Sequence, residues 1–177
     1  MLVEVKVQSL ALDRTANAPV VILQELHGER VLPIWIGPGE ASAIAMQLAE
    51  MEFPRPLTHD LICSVLKSMG GALEKVIITK VKQSTYYAEL IVRHNGEVVS
   101  LDARPSDSIA VALRVHARIF ADQDLLEAAT IELADADTAA DMNFGVPDTA
   151  ADVIMGPEEL QEHLRRLNPE DFGRFTP

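Results

Sequence analysis

The stretch Tyr86-Tyr87-Ala88-Glu89-Leu90-Ile91-Val92-Arg93-His94-Asn95-Gly96-Glu97-Val98-Val99-Ser100-Leu101-Asp102-Ala103-Arg104-Pro105-Ser106-Asp107-Ser108 decides the fold class. Two strand-like runs, Tyr86 to His94 and Glu97 to Ala103, flank Asn95-Gly96, a strong two-residue hairpin signal. The second run passes into Arg104-Pro105-Ser106-Asp107. Proline near the first helical position is pre-organised, and an acid in the first turn complements the positive end of the helix dipole. A helix is predicted from about Pro105 to Val115.

Upstream, Ala72 to Lys82 reads as a strand, preceded by Gly70-Gly71, which ends a helix over roughly His59 to Met69. Thr58 is the expected N-cap of that helix. Phe53-Pro54-Arg55-Pro56 stops an earlier helix, Ala41 to Met51, because proline disfavours helical geometry in the residue before it. Before Gly37-Pro38-Gly39, the alternation of Val3, Val5 and Val7 with Glu4, Lys6 and Gln8 marks a half-buried strand, and Val20 to Leu26 and Val31 to Ile36 mark two more. Trp35, beside Pro33 and Ile34, reads as core. The order βββ-αα-βββ-α predicts an α+β domain with a mixed or antiparallel sheet, rather than a doubly wound parallel one. This domain covers residues 1–130. Residues 131–177 read as an acidic linker and a short C-terminal amphipathic helix, with Leu160, Leu164 and Leu167 at i, i+4 and i+7.

Composition narrows the function classes. Residues 1–127 hold 12 Lys and Arg against 16 Asp and Glu, and residues 128–177 hold 3 against 11, so the tail supplies two thirds of the net charge of −12. There is no basic stripe of the kind that drives nucleic-acid affinity, so any such contact is local. No apolar run approaches the roughly 20 residues of a membrane span. The N-terminus lacks the pattern of a secretion signal, and the lone Cys63 forms no internal disulfide, so a cytoplasmic protein is expected.

The chemistry concentrates in two polar strings, Arg55-Pro56-Leu57-Thr58-His59-Asp60 and Asp102-Ala103-Arg104-Pro105-Ser106-Asp107-Ser108, each opening a helix. Taken singly, Glu40, Asp60 and Asp107 stabilise helix ends and the arginines pair with nearby acids. If the two entrances converge, Asp60, Asp102 and Asp107 form an oxygen ligand set suited to Mg²⁺ or Mn²⁺, with His59, Asp60 and Asp107 as catalytic groups. Arg55, Arg104 and Ser106 would then bind substrate, the arginines through paired N–H donors to phosphate. Tyr86 and Tyr87 point to opposite faces of one strand, one toward the core and the other in ordinary packing or stacked on a base.

Leu32-Pro33-Ile34-Trp35-Ile36-Gly37, Glu40-Ala41 and the first polar string, with Thr85-Tyr86-Tyr87-Ala88 and the second, resemble the bifunctional nuclease domain family over about residues 1–130. The resemblance implies an α+β fold that self-associates as a homo-oligomer, dimer or higher, and DNase and RNase activity. It brings no fixed catalytic set. The leading expectation is a divalent-metal-dependent nuclease hydrolysing phosphodiester bonds in DNA or RNA. The competing expectations are a non-catalytic oligomeric assembly module and a small-ligand sensor.

Overall fold

The computed structural model describes residues 1–13 and 16–129. Its elements run β1 (Leu2–Asp13), β2 (Ala18–Glu25), β3 (Val31–Trp35), α1 (Pro38–Leu48), α2 (Thr58–Ser68), β4 (Gly71–Lys82), β5 (Thr85–His94), β6 (Glu97–Ala103), α3 (Pro105–Val115) and β7 (Arg118–Asp122). A further helix, α4, covers residues 123–129. The α+β class and the mixed sheet hold, and the expected order is extended by β7 and α4. The acidic linker and the C-terminal amphipathic helix lie outside the described residues.

The seven strands form one sheet in the order β3-β2-β1-β7-β4-β5-β6. Two antiparallel meanders, β1-β2-β3 and β4-β5-β6, are joined by β7, which lies antiparallel to β1 and parallel to β4. On one face, alternation and register bring Val5, Val21, Leu23, Leu32, Ile34, Val76, Ile78, Ala88, Ile119 and Ala121 together. Onto this face pack Ile44 of α1, Ile109, Ala110 and Ala112 of α3, and Leu125 and Leu126 of α4. The described helices therefore form a single layer, and the opposite sheet face lies away from them.

Local differences from expectation have physical causes. Helix α1 begins at Pro38, three residues early, because proline sits comfortably at the first helical position, where no N–H is needed. Helix α2 begins at Thr58 rather than being capped by it; the Leu57 N–H is satisfied instead by Asp60 Oδ2 at 2.8 Å. Trp35 is not core. Leu32 and Ile34 take the buried face, so Trp35 falls on the other, 46% exposed, donating its indole N–H to Asp13 Oδ2 at 2.9 Å. Helix α3 ends in a left-handed residue, His116 (φ 54°), where glycine is usual. That stop turns the chain directly into β7.

Ile119 is the buried centre of the joining strand, opposed by Val5 on one side and Val76 on the other. Ile119→Ala is expected to cost about 2–5 kcal/mol through lost burial and a residual cavity, read as a lower urea midpoint with an unchanged slope.

Candidate functional site

Helix α2 leads into β4 and α3 leads into β7, and these two strands are parallel neighbours. Both helices therefore start at the same end of the sheet, and α3 packs against α2. The two polar strings, far apart in sequence, meet there. His59 Nε2 lies 3.2 Å from Asp107 Oδ1, a contact across 48 positions. The His59 side chain is only 12% exposed, against 32% for Asp107.

Arg104 grips the same carboxylate. Its Nε donates to Asp107 Oδ2 at 2.8 Å and its Nη2 to Oδ1 at 3.2 Å, while Nη1 donates to Glu40 Oε1 at 2.8 Å. The starts of α1 and α3 are thus tied through one guanidinium, 65% exposed, and α2 joins them through His59 on Asp107. Burial pushes the Asp107 carboxyl up, but hydrogen bonds from Arg104 and His59 and their charges outweigh it, holding Asp107 below the usual carboxylate range.

Asp60 is held differently. Its Oδ2 accepts the Leu57 N–H and its Oδ1 accepts Arg114 Nε at 2.6 Å. The Arg114 side chain is only 6% exposed. Its Nη1 also donates to Ala110 O at 2.9 Å, and both terminal nitrogens reach Ala43 O at 3.4 Å, so it links α1, α2 and α3. Burial again opposes ionisation of Asp60 and is outweighed by the Leu57 and Arg114 hydrogen bonds and the Arg114 and His59 charges, which lower its pKa. Cys63, one turn along α2, has its thiol pushed up by burial, which leaves a poor nucleophile.

Not every expected site residue joins this cluster. Arg55 is exposed in the turn before α2 and makes no ion pair among the described residues. Ser106 is 6% exposed, buried in the first turn of α3. Asp102 pairs with Glu89 across β5 and β6 and so faces away from the helix layer. Arg114 is the contributor that sequence reasoning missed. Its one signal is a lone cation closing the apolar run Ile109-Ala110-Val111-Ala112-Leu113.

Hard cations need several open oxygens converging on one point. Both oxygens of Asp60 and both of Asp107 already accept charged or backbone donors, and Asp102 is on the other face. Among the described residues no three His, Cys, Asp or Glu groups converge as ligands. The three-aspartate metal set does not assemble in this arrangement, so a resident divalent ion does not fit it.

Comparison with known proteins bears on the same region. Residues 21–134 match the family described as the bifunctional nuclease domain. An uncharacterised protein of Mycobacterium tuberculosis is 37% identical over 169 residues, covering 96% of this chain and 97% of that protein. Bifunctional nuclease 1 of Oryza sativa subsp. japonica is 29% identical over 105 residues, 58% of this chain and 32% of that protein. Bifunctional nuclease 1 of Arabidopsis thaliana is 28% identical over 103 residues, again covering 32% of the plant protein. The chain thus spans about a third of the plant proteins' length. Among the described residues no helix is long and apolar enough to cross a membrane.

The lowered carboxyls set the sign of an acid effect. A carboxyl with a depressed folded-state pKa contributes stability that is fully present above the unfolded value, about 3.9, and lost as pH falls through the folded one. Asp60→Asn and Asp107→Asn are therefore expected to be less stable than the parent at pH 7. The gap should close below about pH 4, as read from urea midpoints across pH.

Proposed function

The chain belongs to the bifunctional nuclease domain family, and on that premise we propose that it hydrolyses phosphodiester bonds of DNA or RNA at the joined entrances of α2 and α3. The observation that carries this reading is the His59–Asp107 contact with the exposed Arg104 fork beside it. Asp107 orients the imidazole through Nε2, which leaves Nδ1 as the nitrogen that takes a proton from the attacking water. Arg104 binds the phosphate by exchanging a carboxylate partner for phosphate oxygens, a geometry its planar fork matches. The water oxygen forms the new bond to phosphorus, the bond to the leaving nucleoside oxygen breaks, and solvent protonates the leaving group. Asp60 and Arg114 hold α2 and α3 in register and position His59.

A second reading is assembly with another copy of the chain. Strand β6 closes the sheet, and among the described residues one of its backbone edges is unpaired; it contains no proline, and its pairing with β5 is unbroken. Val98, Val99 and Leu101 on it are all more than 40% exposed. Such an edge is a template for its own kind, and an antiparallel β6–β6 pairing extends the sheet across two copies. Helix α2, with Leu61, Ile62 and Val65 exposed and no residue buried, and Met69 exposed at its C-cap, adds apolar surface of the sort that interfaces use.

Two measurements test these readings. His59→Gln and Asp107→Asn are expected to lower cleavage of labelled single-stranded DNA and RNA by about 10²–10⁴. Unchanged rates in both variants overturn the assignment. So does cleavage that vanishes with chelator and returns with Mn²⁺, which places the chemistry at a metal site elsewhere. For assembly, light scattering is expected to give a dimer mass that Val99→Lys with Leu101→Lys reduces to monomer. A monomeric parent protein at high micromolar concentration overturns that reading.

A further inference from the structure

Alternation in β1, β7 and β4 sends Lys6, Arg118 and Lys75 to the sheet face opposite the helices. Lys75 opposes Arg118 in the parallel β4–β7 register, and Lys6 follows Val5, whose partner is Ile119. The three cations therefore form one row across adjacent strands. Like charges on neighbouring strands repel, and such a row usually recruits carboxylates. Among the described residues none of the three makes an ion pair.

What lies among them is an aromatic ring. Lys75 Nζ is 5.5 Å and the Arg118 guanidinium carbon 5.6 Å from the centroid of half-buried Phe120. Further up the same face, Lys80 opposes Tyr87, with its Nζ 5.1 Å from that ring's centroid. Acids share this face: Glu4, Glu89 and Asp102 lie in the row above the cations, Asp122 lies further along β7, and Glu74 beside Lys75 is taken by Arg93. Glu4 opposes Phe120, and Glu89 opposes Ile77 and accepts the Ser100 hydroxyl at 2.7 Å.

Cations beside half-buried rings, with Lys80 and Arg118 exposed and Lys75 half-buried, are the chemistry of a surface for unstacked bases and their phosphates. The rings serve bases and the cation row serves the backbone. From Phe120, three residues along β4 and two strands across, from β7 over β4 to β5, give a span to Tyr87 of about 14 Å. Tyr87 precedes Ala88, the partner of Ala103, so the track ends beside Arg104. We infer that the sheet face carrying Lys75, Arg118, Phe120, Lys80 and Tyr87 binds single-stranded nucleic acid and leads it to the α2–α3 entrance. This inference rests on the nuclease reading for its direction but uses none of the residues assigned to hydrolysis.

The test uses the full chain and a fluorescein-labelled 12-nucleotide thymidine strand, with anisotropy read in chelator over a salt series. Lys75→Ala with Arg118→Ala is expected to weaken binding at least tenfold. It should also flatten the logarithmic salt slope by about 1.4, at about 0.7 per lost phosphate contact. Phe120→Leu, which keeps the position apolar, is expected to weaken binding fivefold or more with the slope unchanged, because a stack and not a charge is lost. Absence of binding by the parent chain, an unaltered affinity and slope in the double variant, or equal affinity for polyglutamate of matching length would each overturn the inference. Hydrolysis of bis(p-nitrophenyl) phosphate separates the two readings, since that small diester needs no strand track. The sheet-face variants should retain it, while His59→Gln loses it yet keeps strand affinity.

Discussion

One parallel pairing governs this molecule, the four-residue register in which Lys75, Val76, Ile77 and Ile78 of β4 meet Arg118, Ile119, Phe120 and Ala121 of β7. Without β7 the chain would hold two separate three-stranded meanders with the edges of β1 and β4 unpaired. With β7 between them, the buried residues of both meanders become one continuous inner face. Parallel neighbours also require crossovers, and here each is preceded by a helix, α2 before β4 and α3 before β7. Two helices feeding parallel neighbouring strands from the same layer must begin at the same end of the sheet. The contact between His59 and Asp107 is thus a consequence of strand direction before it is a matter of side-chain chemistry.

The two arginines that hold carboxylates at that end are physically unlike each other. Arg114 is almost wholly buried, and three backbone or carboxylate groups on three helices depend on its donors. Removing one partner would leave charge without water or counter-ion, the arrangement in which broken pairs are most destabilising. Arg104 faces solvent, where an ion pair is worth at most about 1 kcal/mol, so exchanging Asp107 or Glu40 for a phosphate costs little. One arginine therefore belongs to the scaffold and the other to the ligand side of the cleft. Glu40 matters in this exchange because it keeps the guanidinium aimed while its other partner changes.

Most of this was legible in the sequence. Alternation located the strands, Asn95-Gly96 the hairpin, and Pro105 the start of α3, since each signal is local and chemically specific. β7 was hidden because five residues, Arg118 to Asp122, are too few to show a period, and because the helix before them stops at His116 without glycine. The side of the sheet taken by Asp102 follows from alternation with Leu101 and Ala103, but only once the buried face is known. Arg114 and Asp60 are 54 residues apart, and nothing in either neighbourhood names the other. Trp35 misleads for the opposite reason: a large ring beside proline and isoleucine looks like core, while the period of two places it outside.

The distribution of charge between the two faces resolves what composition left contradictory. An acidic chain without a basic run argues against nucleic acid only if its cations are spent on its own carboxylates. At the α2–α3 entrance Arg104 and Arg114 each hold at least one. On the open sheet face Lys75, Lys80 and Arg118 rest on rings, which orient a cation through the ring's quadrupole without neutralising it. A cation so held keeps its full charge for an incoming anion and loses little side-chain freedom when the anion arrives. Local geometry, and not net charge, decides where a polyanion can approach this fold.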